Sequence, residues 1–291
     1  MVKHASWQEW RCAEARSWIA VPDQSDDKYS RGVLGVCTGS AEYPGAAVLG
    51  VQAAARTGVG MIRYLGPAVV AQLVLARRPE VVVGQGRVQA WLLGSGMNAE
   101  DLGDAAPDLA SAAASGVPLV CDAGALDYAR LATGPTIITP HFRELAGLLT
   151  RAGASVNPAT IAEDPGAWAG RAADLLGVTV LLKGSVTWIA DPTGTRFTVS
   201  HSPSWLATAG AGDVLGGILG ALLATHHEQL QTDAQALPAL AATAAWVHAE
   251  AARRASGGGP IAALDVADAV PATIAALLAA PTAPSETAAP C

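Results

Sequence analysis

Lysine is nearly missing from this chain: 18 residues are basic, but only positions 3, 28 and 183 are lysines. No basic stripe forms, and the net charge is −7. Non-specific nucleic-acid binding needs a basic footprint, so nucleic acid is excluded as a partner. Aromatic residues make up 5% and charged residues 15%. Hydrophobic residues reach 51%, much of it Ala, Val and Leu. That content excludes wholesale disorder, and small side chains suit helices packed closely on a sheet. The four cysteines form no CxxC pair and no zinc spacing, so they read as reduced thiols. The longest apolar run, Val214 to Ala224, holds three glycines and is too short to span a bilayer. The N-terminal residues are too polar for a secretory signal. The expectation is a cytoplasmic protein with no membrane partner. No Gly-x-x-x-x-Gly-Lys-Ser/Thr motif is present, which disfavours a P-loop ATPase. No dense carboxylate cluster marks a tightly held metal, so the metal-ligand set is expected to be empty.

What is present is alternation. Residues 1–27 read as a short helix and a linker. Apolar runs then appear at Gly32–Cys37, Met61–Leu65, Ala90–Leu93, Pro118–Asp122, Thr136–Pro140 and Val178–Leu182. Helical periods lie at Gly45–Gly58, Asp108–Ser115, Arg143–Ala152, from Gly212 onward, and at 236–254 and 261–279. Thr187–Ala190 and Arg196–Val199, joined by Asp191-Pro192-Thr193-Gly194, read as a β-hairpin. Residues 281–291 read as a disordered tail. Strand–helix alternation over this length predicts an α/β fold. Its sheet is mainly parallel with helices on both faces, forming a single domain over 28–280. Ligands on such sheets bind at the carboxyl ends of the strands.

The chemistry-bearing residues fall at such ends. Gly210-Ala211-Gly212-Asp213 precedes a strongly apolar helix. The glycines let the backbone approach a ligand closely, and a helix start offers free N–H groups with about half a positive charge. Asp213 there suits a general base taking a proton from an attacking hydroxyl; its other reading is an N-cap. Lys183, at a strand end before Gly184, suits a nucleotide phosphate or a solvated surface. His141, with Glu144 three residues on, either hydrogen-bonds a polar substrate or sits in a plain strand-to-helix turn. Asp122 either holds a ligand group or caps the next helix.

These pieces, in order, resemble the ADP/ATP-dependent NAD(P)H-hydrate dehydratase family, which has a ribokinase-like fold. The matching segments are Lys28–Gly32, Gly39-Ser40 with Tyr43–Ala47, Gly58–Gly60, Pro79-Glu80, Gly94–Gly96 and Asp122–Leu126. Thr139–His141 with Glu144, Lys183-Gly184, and Leu206–Thr208 running into Gly210–Asp213 complete the set. The form resembled is the stand-alone dehydratase rather than one with an upstream epimerase domain. The resemblance implies a substrate, NADHX or NADPHX, in which water has added across a nicotinamide double bond. ADP or ATP, with Mg²⁺, phosphorylates the hydroxyl, and phosphate elimination restores the ring. By the same resemblance Ala46, Gly96, His141 and Asp213 contact the hydrate. Lys183, Gly184, Ser185, Val186 and Thr187 contact the nucleotide, as do Gly210, Ala211 and Gly212. The resemblance also implies a homo-oligomer.

The chain departs from the family pattern at three places: Asn98 follows Met97, Gly124 replaces an aspartate, and Ser202-Pro203-Ser204-Trp205 replaces an Asn-Pro-Gly approach. Two other readings stay open. One is a vitamin-precursor kinase of the same fold, of hydroxyethylthiazole or hydroxymethylpyrimidine type. The other is a nucleotide-binding protein without catalysis.

Overall fold

The computed structural model describes residues 6–233 and 236–280; the expected tail and residues 1–5 lie outside them. Ten strands form one sheet: β1 (Gln8–Glu9), β2 (Val33–Cys37), β3 (Met61–Tyr64), β4 (Val82–Val83), β5 (Ala90–Leu93), β6 (Leu119–Cys121), β7 (Thr136–Ile138), β8 (Thr179–Leu182), β9 (Thr187–Ala190) and β10 (Arg196–Val199). Their order is β1-β10-β9-β8-β7-β6-β5-β2-β3-β4. The run from β4 through β8 is parallel throughout, and β9 pairs antiparallel with both β8 and β10. The β9–β10 hairpin has the expected bounds.

The sheet is buried on both sides because its side chains alternate. Leu92, Ile137 and Leu181 face one core, and Trp91, Leu93, Ile138 and Leu182 face the other. Such strands read as unbroken apolar runs, which is how they appear in the sequence. The first core is closed by α1 (Cys12–Ser17), α2 (Pro44–Thr57), α8 (Ala211–Thr225), α9 (Ala236–Ser256) and α10 (Ala263–Ala279). The second is closed by α4 (Ala106–Ala113), α5 (Phe142–Arg151), α6 (Pro158–Glu163) and α7 (Pro165–Leu176). Helix α3 (Ala68–Arg77) packs Val70 and Val74 into the first core. Elements β1, α3, β4, α6 and α7 have no counterpart among the expected ones. β1 ties the N-terminal segment to the sheet by pairing with β10. Buried Cys37 and Cys121 are free thiols, whereas Cys12 is disulfide-bonded, a departure from four reduced thiols. Among the described residues no helix is long and apolar enough to cross a membrane.

Helices α2 and α8 meet backbone to backbone. A Cβ on Gly217 would run into the Gly50 carbonyl oxygen, and one on Gly50 would lie 3.4 Å from the Asp213 carbonyl oxygen. Gly216 and Gly220 let α8 settle on the sheet, where added Cβ atoms would lie 3.2 Å and 3.1 Å from Leu92 and Leu34. This seating fixes where the first turn of α8 emerges. Gly217→Ala should therefore lower stability by about 1–3 kcal/mol through overpacking, despite the usual helix gain of about 0.5–1 kcal/mol. Gly147→Ala on α5, where a Cβ would meet only the mobile end of Arg151, should show the gain. Denaturation midpoints of the two variants test the contrast.

Candidate active site

The strand order reverses between β2 and β5, so a crevice opens at their carboxyl ends. Gly39 and Gly96 line it. The Gly39 amide donates to the Ser95 carbonyl at 2.7 Å. Gly96 has φ +68, and a Cβ there would collide with the Ala46 methyl and lie 3.0 Å from the Tyr43 carbonyl oxygen. Two of the expected substrate contacts, Ala46 and Gly96, thus sit against each other. Ala46 lies one turn before Gly50 on α2, the helix that touches the Asp213 backbone.

The first turn of α8 forms the next wall. Gly210, at φ +86, is the N-cap, so Asp213 is the third helical residue and the N-cap reading of Asp213 fails. The Ala211 amide donates to the Thr208 carbonyl and that of Val214 to the Gly210 carbonyl. Among the described residues the amides of Gly212 and Asp213 have no hydrogen bond, leaving two donors at a helix start for an anion. Burial pushes the Asp213 carboxyl up to about 7; the charge of Asp122 adds to this and that of Lys183 opposes it. On α9, His248 is buried with its ring toward the Ala211 backbone, and its Nε2 has no partner among the described residues. Burial pushes it down to about 4, which keeps it neutral.

Lys183 is not a solvated surface lysine. It follows β8, its amide donates to the Pro140 carbonyl at 2.9 Å, and its backbone bridges His141. Its Nζ donates to Asp122 Oδ1 at 2.8 Å and lies 3.8 Å from Glu144 Oε2. A Cβ on Gly212 would lie 3.5 Å from that nitrogen, so the ammonium stands beside the anion-binding turn. Burial works against its charge, but Asp122 and Glu144 outweigh that and hold its pKa above the usual lysine value. Of the other expected nucleotide contacts, Gly184 and Ser185 are exposed, Val186 is half-buried, and Thr187 is buried at the start of β9.

Asp122, at the end of β6, makes no helix-cap bond. Its Oδ2 accepts from Ser95 at 2.9 Å, and its Oδ1 accepts from Thr139 at 2.8 Å as well as from Lys183. Burial acts to raise its pKa, yet Lys183 and these hydrogen bonds win and lower it. Ser95 and Thr139 have no role assigned to them from the sequence; their signal is a polar residue just after an apolar strand.

His141 is both cap and ligand candidate. Its Nδ1 accepts from the Glu144 amide at 3.1 Å, and its own amide donates to Glu144 Oε2 at 2.7 Å. With Nδ1 accepting, the neutral ring carries its proton on Nε2 and offers a donor outward. The side chain is 52% exposed, so that donor is reachable. Trp205 is half-exposed, and its indole N–H donates to the Gly258 carbonyl at 3.3 Å. Among the described residues no group of three His, Cys, Asp or Glu side chains can hold a metal.

Asp213 is protonated in the fold over a pH range where the unfolded chain has lost that proton. A raised carboxyl stabilises the fold most below pH 4, and the contribution is lost as pH rises through about 7. Asp213→Asn removes that loss. Relative to wild type it should gain about 1–2 kcal/mol between pH 4 and pH 8, after allowance for partial solvent screening. Denaturant melts at the two pH values measure this; equal differences at both would refute the raised carboxyl.

The profile of the NAD(P)H-hydrate dehydratase family matches residues 34–271. The bifunctional NAD(P)H-hydrate repair enzyme of Mycobacterium tuberculosis is 45% identical over 217 residues, covering 70% of this chain and 43% of that protein. The chain thus spans less than half the length of such relatives. The ADP-dependent (S)-NAD(P)H-hydrate dehydratase of Neisseria meningitidis is 32% identical over 250 residues, with 79% of each chain covered. Among solved structures, the ADP/ATP-dependent NAD(P)H-hydrate dehydratase of Bacillus subtilis, co-crystallised with ATP and Mg²⁺, superposes with TM-score 0.82 at 22% identity, covering 94% of this chain and 99% of that one. A hydroxyethylthiazole kinase from Pyrococcus horikoshii superposes less well, with TM-score 0.59 at 16% identity. These likenesses establish the ribokinase-like fold, and the chain belongs to the NAD(P)H-hydrate dehydratase family.

Proposed function

We propose that this chain repairs hydrated NADH or NADPH by using ADP or ATP to phosphorylate the hydrate hydroxyl and then eliminating phosphate. The observation that carries the reading is the meeting of Asp213, the two unpaired amides at the start of α8, and the Lys183 ammonium at one point. A base, an anion hole and a cation within one pocket suit phosphoryl transfer to a hydroxyl. The same geometry argues against a non-catalytic binder, which needs no raised carboxylate beside the anion site.

In this reading the hydrate lies in the crevice beside Ala46 and Gly96, whose close contact forms a wall of small residues against which the ring rests. His141 donates from Nε2 to an oxygen of the substrate. Asp213 takes the hydroxyl proton as that oxygen attacks the terminal phosphoryl group. The amides of Gly212 and Asp213 take up the charge that develops, and Lys183 neutralises the phosphates. Backbone at Gly184 and Ser185 follows the nucleotide. The C–O bond then breaks, phosphate leaves with that oxygen, and the neighbouring ring carbon gives up a proton to solvent so that the double bond re-forms; a phosphate ester departs far more readily than a hydroxide. Asp122 and Glu144 are engaged by Lys183, so Mg²⁺ fits best as an ion carried by the nucleotide phosphates, where it offsets their charge. The reading extends to one catalytic domain over 28–280 working as a homo-oligomer in the cytoplasm. Exposed Val82 and Val83 on the edge strand β4, and exposed Val69 and Leu73 on α3, suit self-association.

The test is direct. Purified protein with hydrated NADH, Mg²⁺ and ADP or ATP should restore the reduced-nicotinamide absorbance only when nucleotide is present. Folded protein that binds nucleotide yet restores none would move the assignment to a vitamin-precursor kinase. Asp213→Asn should keep nucleotide binding and lose about two to four orders of magnitude in rate. Since only the ionised carboxylate accepts a proton, kcat/KM of the wild type should rise with pH through about 7.

A further inference from the structure

Asp122 has no part in the steps above, yet both its oxygens are engaged by side chains from neighbouring strand ends. It is 3% exposed, and its two oxygens accept three side-chain donors. These come from Ser95 after β5, Thr139 after β7 and Lys183 after β8, so the end of β6 is tied to strands on both sides. Ser95 and Thr139 leave the carboxylate no freedom to turn, and Lys183 is fastened to an anchor that cannot move. Immobilising a long lysine stem costs rotamer freedom. A free stem would sample many positions before finding a phosphate; this one is already stretched beside Gly212.

The arrangement has a second consequence. Lys183 pairs with Asp122 and Glu144, and no ion pair among the described residues joins it to Asp213. A lysine given over to Asp213 would stabilise the ionised carboxylate and weaken it as a base.

We propose that Asp122 is a positioning residue: it holds the Lys183 ammonium against the first turn of α8, ready for the incoming phosphoryl group, and keeps it from pairing with Asp213. The identity of that phosphoryl group rests on the function proposed above; the placement of the cation does not. The charged and titratable groups facing Asp213 are Asp122 from β6, Lys183 from β8, Glu144 from α5 through Lys183, and neutral His248 from α9. Helix α10 also approaches Gly210 through Ala263, but its Asp265 is spent on the Ala262 amide at 2.9 Å. The facing residues of α2, Leu49 and Gly50, carry no charge.

The test replaces Asp122 by Asn, which keeps the shape and removes the charge. Two changes then act on Asp213 in one direction. A negative neighbour that raised its pKa is gone, and Lys183 is released to lower it. NMR titration of the Asp213 carboxyl in ligand-free Asp122→Asn should fall by about one pH unit or more below wild type. The acid limb of kcat/KM should move down with it, and kcat should drop about 10–100-fold through misplacement of Lys183. A folded variant with an unmoved Asp213 titration overturns the proposal.

Asp122→Asn strands a buried cation and can fail to fold for that reason alone. Asp122→Asn/Lys183→Met leaves no unpaired charge between the two positions, and is compared with Lys183→Met. If Asp122 serves kcat by placing Lys183, then kcat of the double variant, measured above the Asp213 titration, is no lower than that of the single one. A further tenfold loss means that Asp122 acts on its own and overturns the proposal. The titration needs no substrate. A wild type inactive on the hydrated cofactor, with the Asp213 shift still seen in Asp122→Asn, would sink the functional reading and leave the role of Asp122 intact.

Discussion

Much of the molecule depends on the contact between Gly50 and Gly217. Two helices can approach this closely only where neither carries a side chain, and here the added Cβ of one would strike the carbonyl of the other. The contact sets the height of α8 above the sheet. That height brings the first turn of α8 level with the carboxyl ends of β5 to β8, within reach of Lys183. The same helix pair sets Asp213 beside α2, whose earlier turn carries Ala46. A single packing constraint therefore aligns the crevice at the strand-order reversal with the anion-binding turn.

Electrostatics then divide the carboxylates. Asp122 and Asp213 are both buried at the strand ends, yet they are driven in opposite directions. Asp122 has three side-chain donors, one of them the Lys183 ammonium, which outweigh its burial. Asp213 has neither ion pair nor side-chain donor among the described residues, so burial dominates. One lysine serving one carboxylate leaves the other poised near neutrality. In a chain with three lysines, that allocation leaves little redundancy.

Capping does double service at His141. The imidazole closes the start of α5 through Nδ1, which fixes the tautomer and directs the remaining N–H outward. Glu144 completes the cap and also stands near Lys183, so the helix start and the cation site share a residue. Such sharing lets a site be rigid on few charged side chains, consistent with a chain that is only 15% charged.

The sequence by itself determined the alternation of elements and the places where chemistry is possible. Unbroken apolar runs, buried on both faces, mark β2, β5, β6, β7 and β8, and glycines near their ends mark backbone that must approach a ligand. Gly210–Asp213 and Lys183 were legible because glycine before an apolar helix, and a rare lysine at a strand end, have few other uses. Elements such as β1, β4 and α3 were not, since a two-residue edge strand leaves no periodic signal and α3 is apolar nearly all round. Only the tertiary structure decided that Asp122 points into the site instead of capping its own helix. The same holds for Asp213, the third residue of α8 and not its cap. The reason is physical: a carboxylate takes whichever donors lie within about 3 Å, and those near Asp122 come from positions 95, 139 and 183, which the sheet alone brings together.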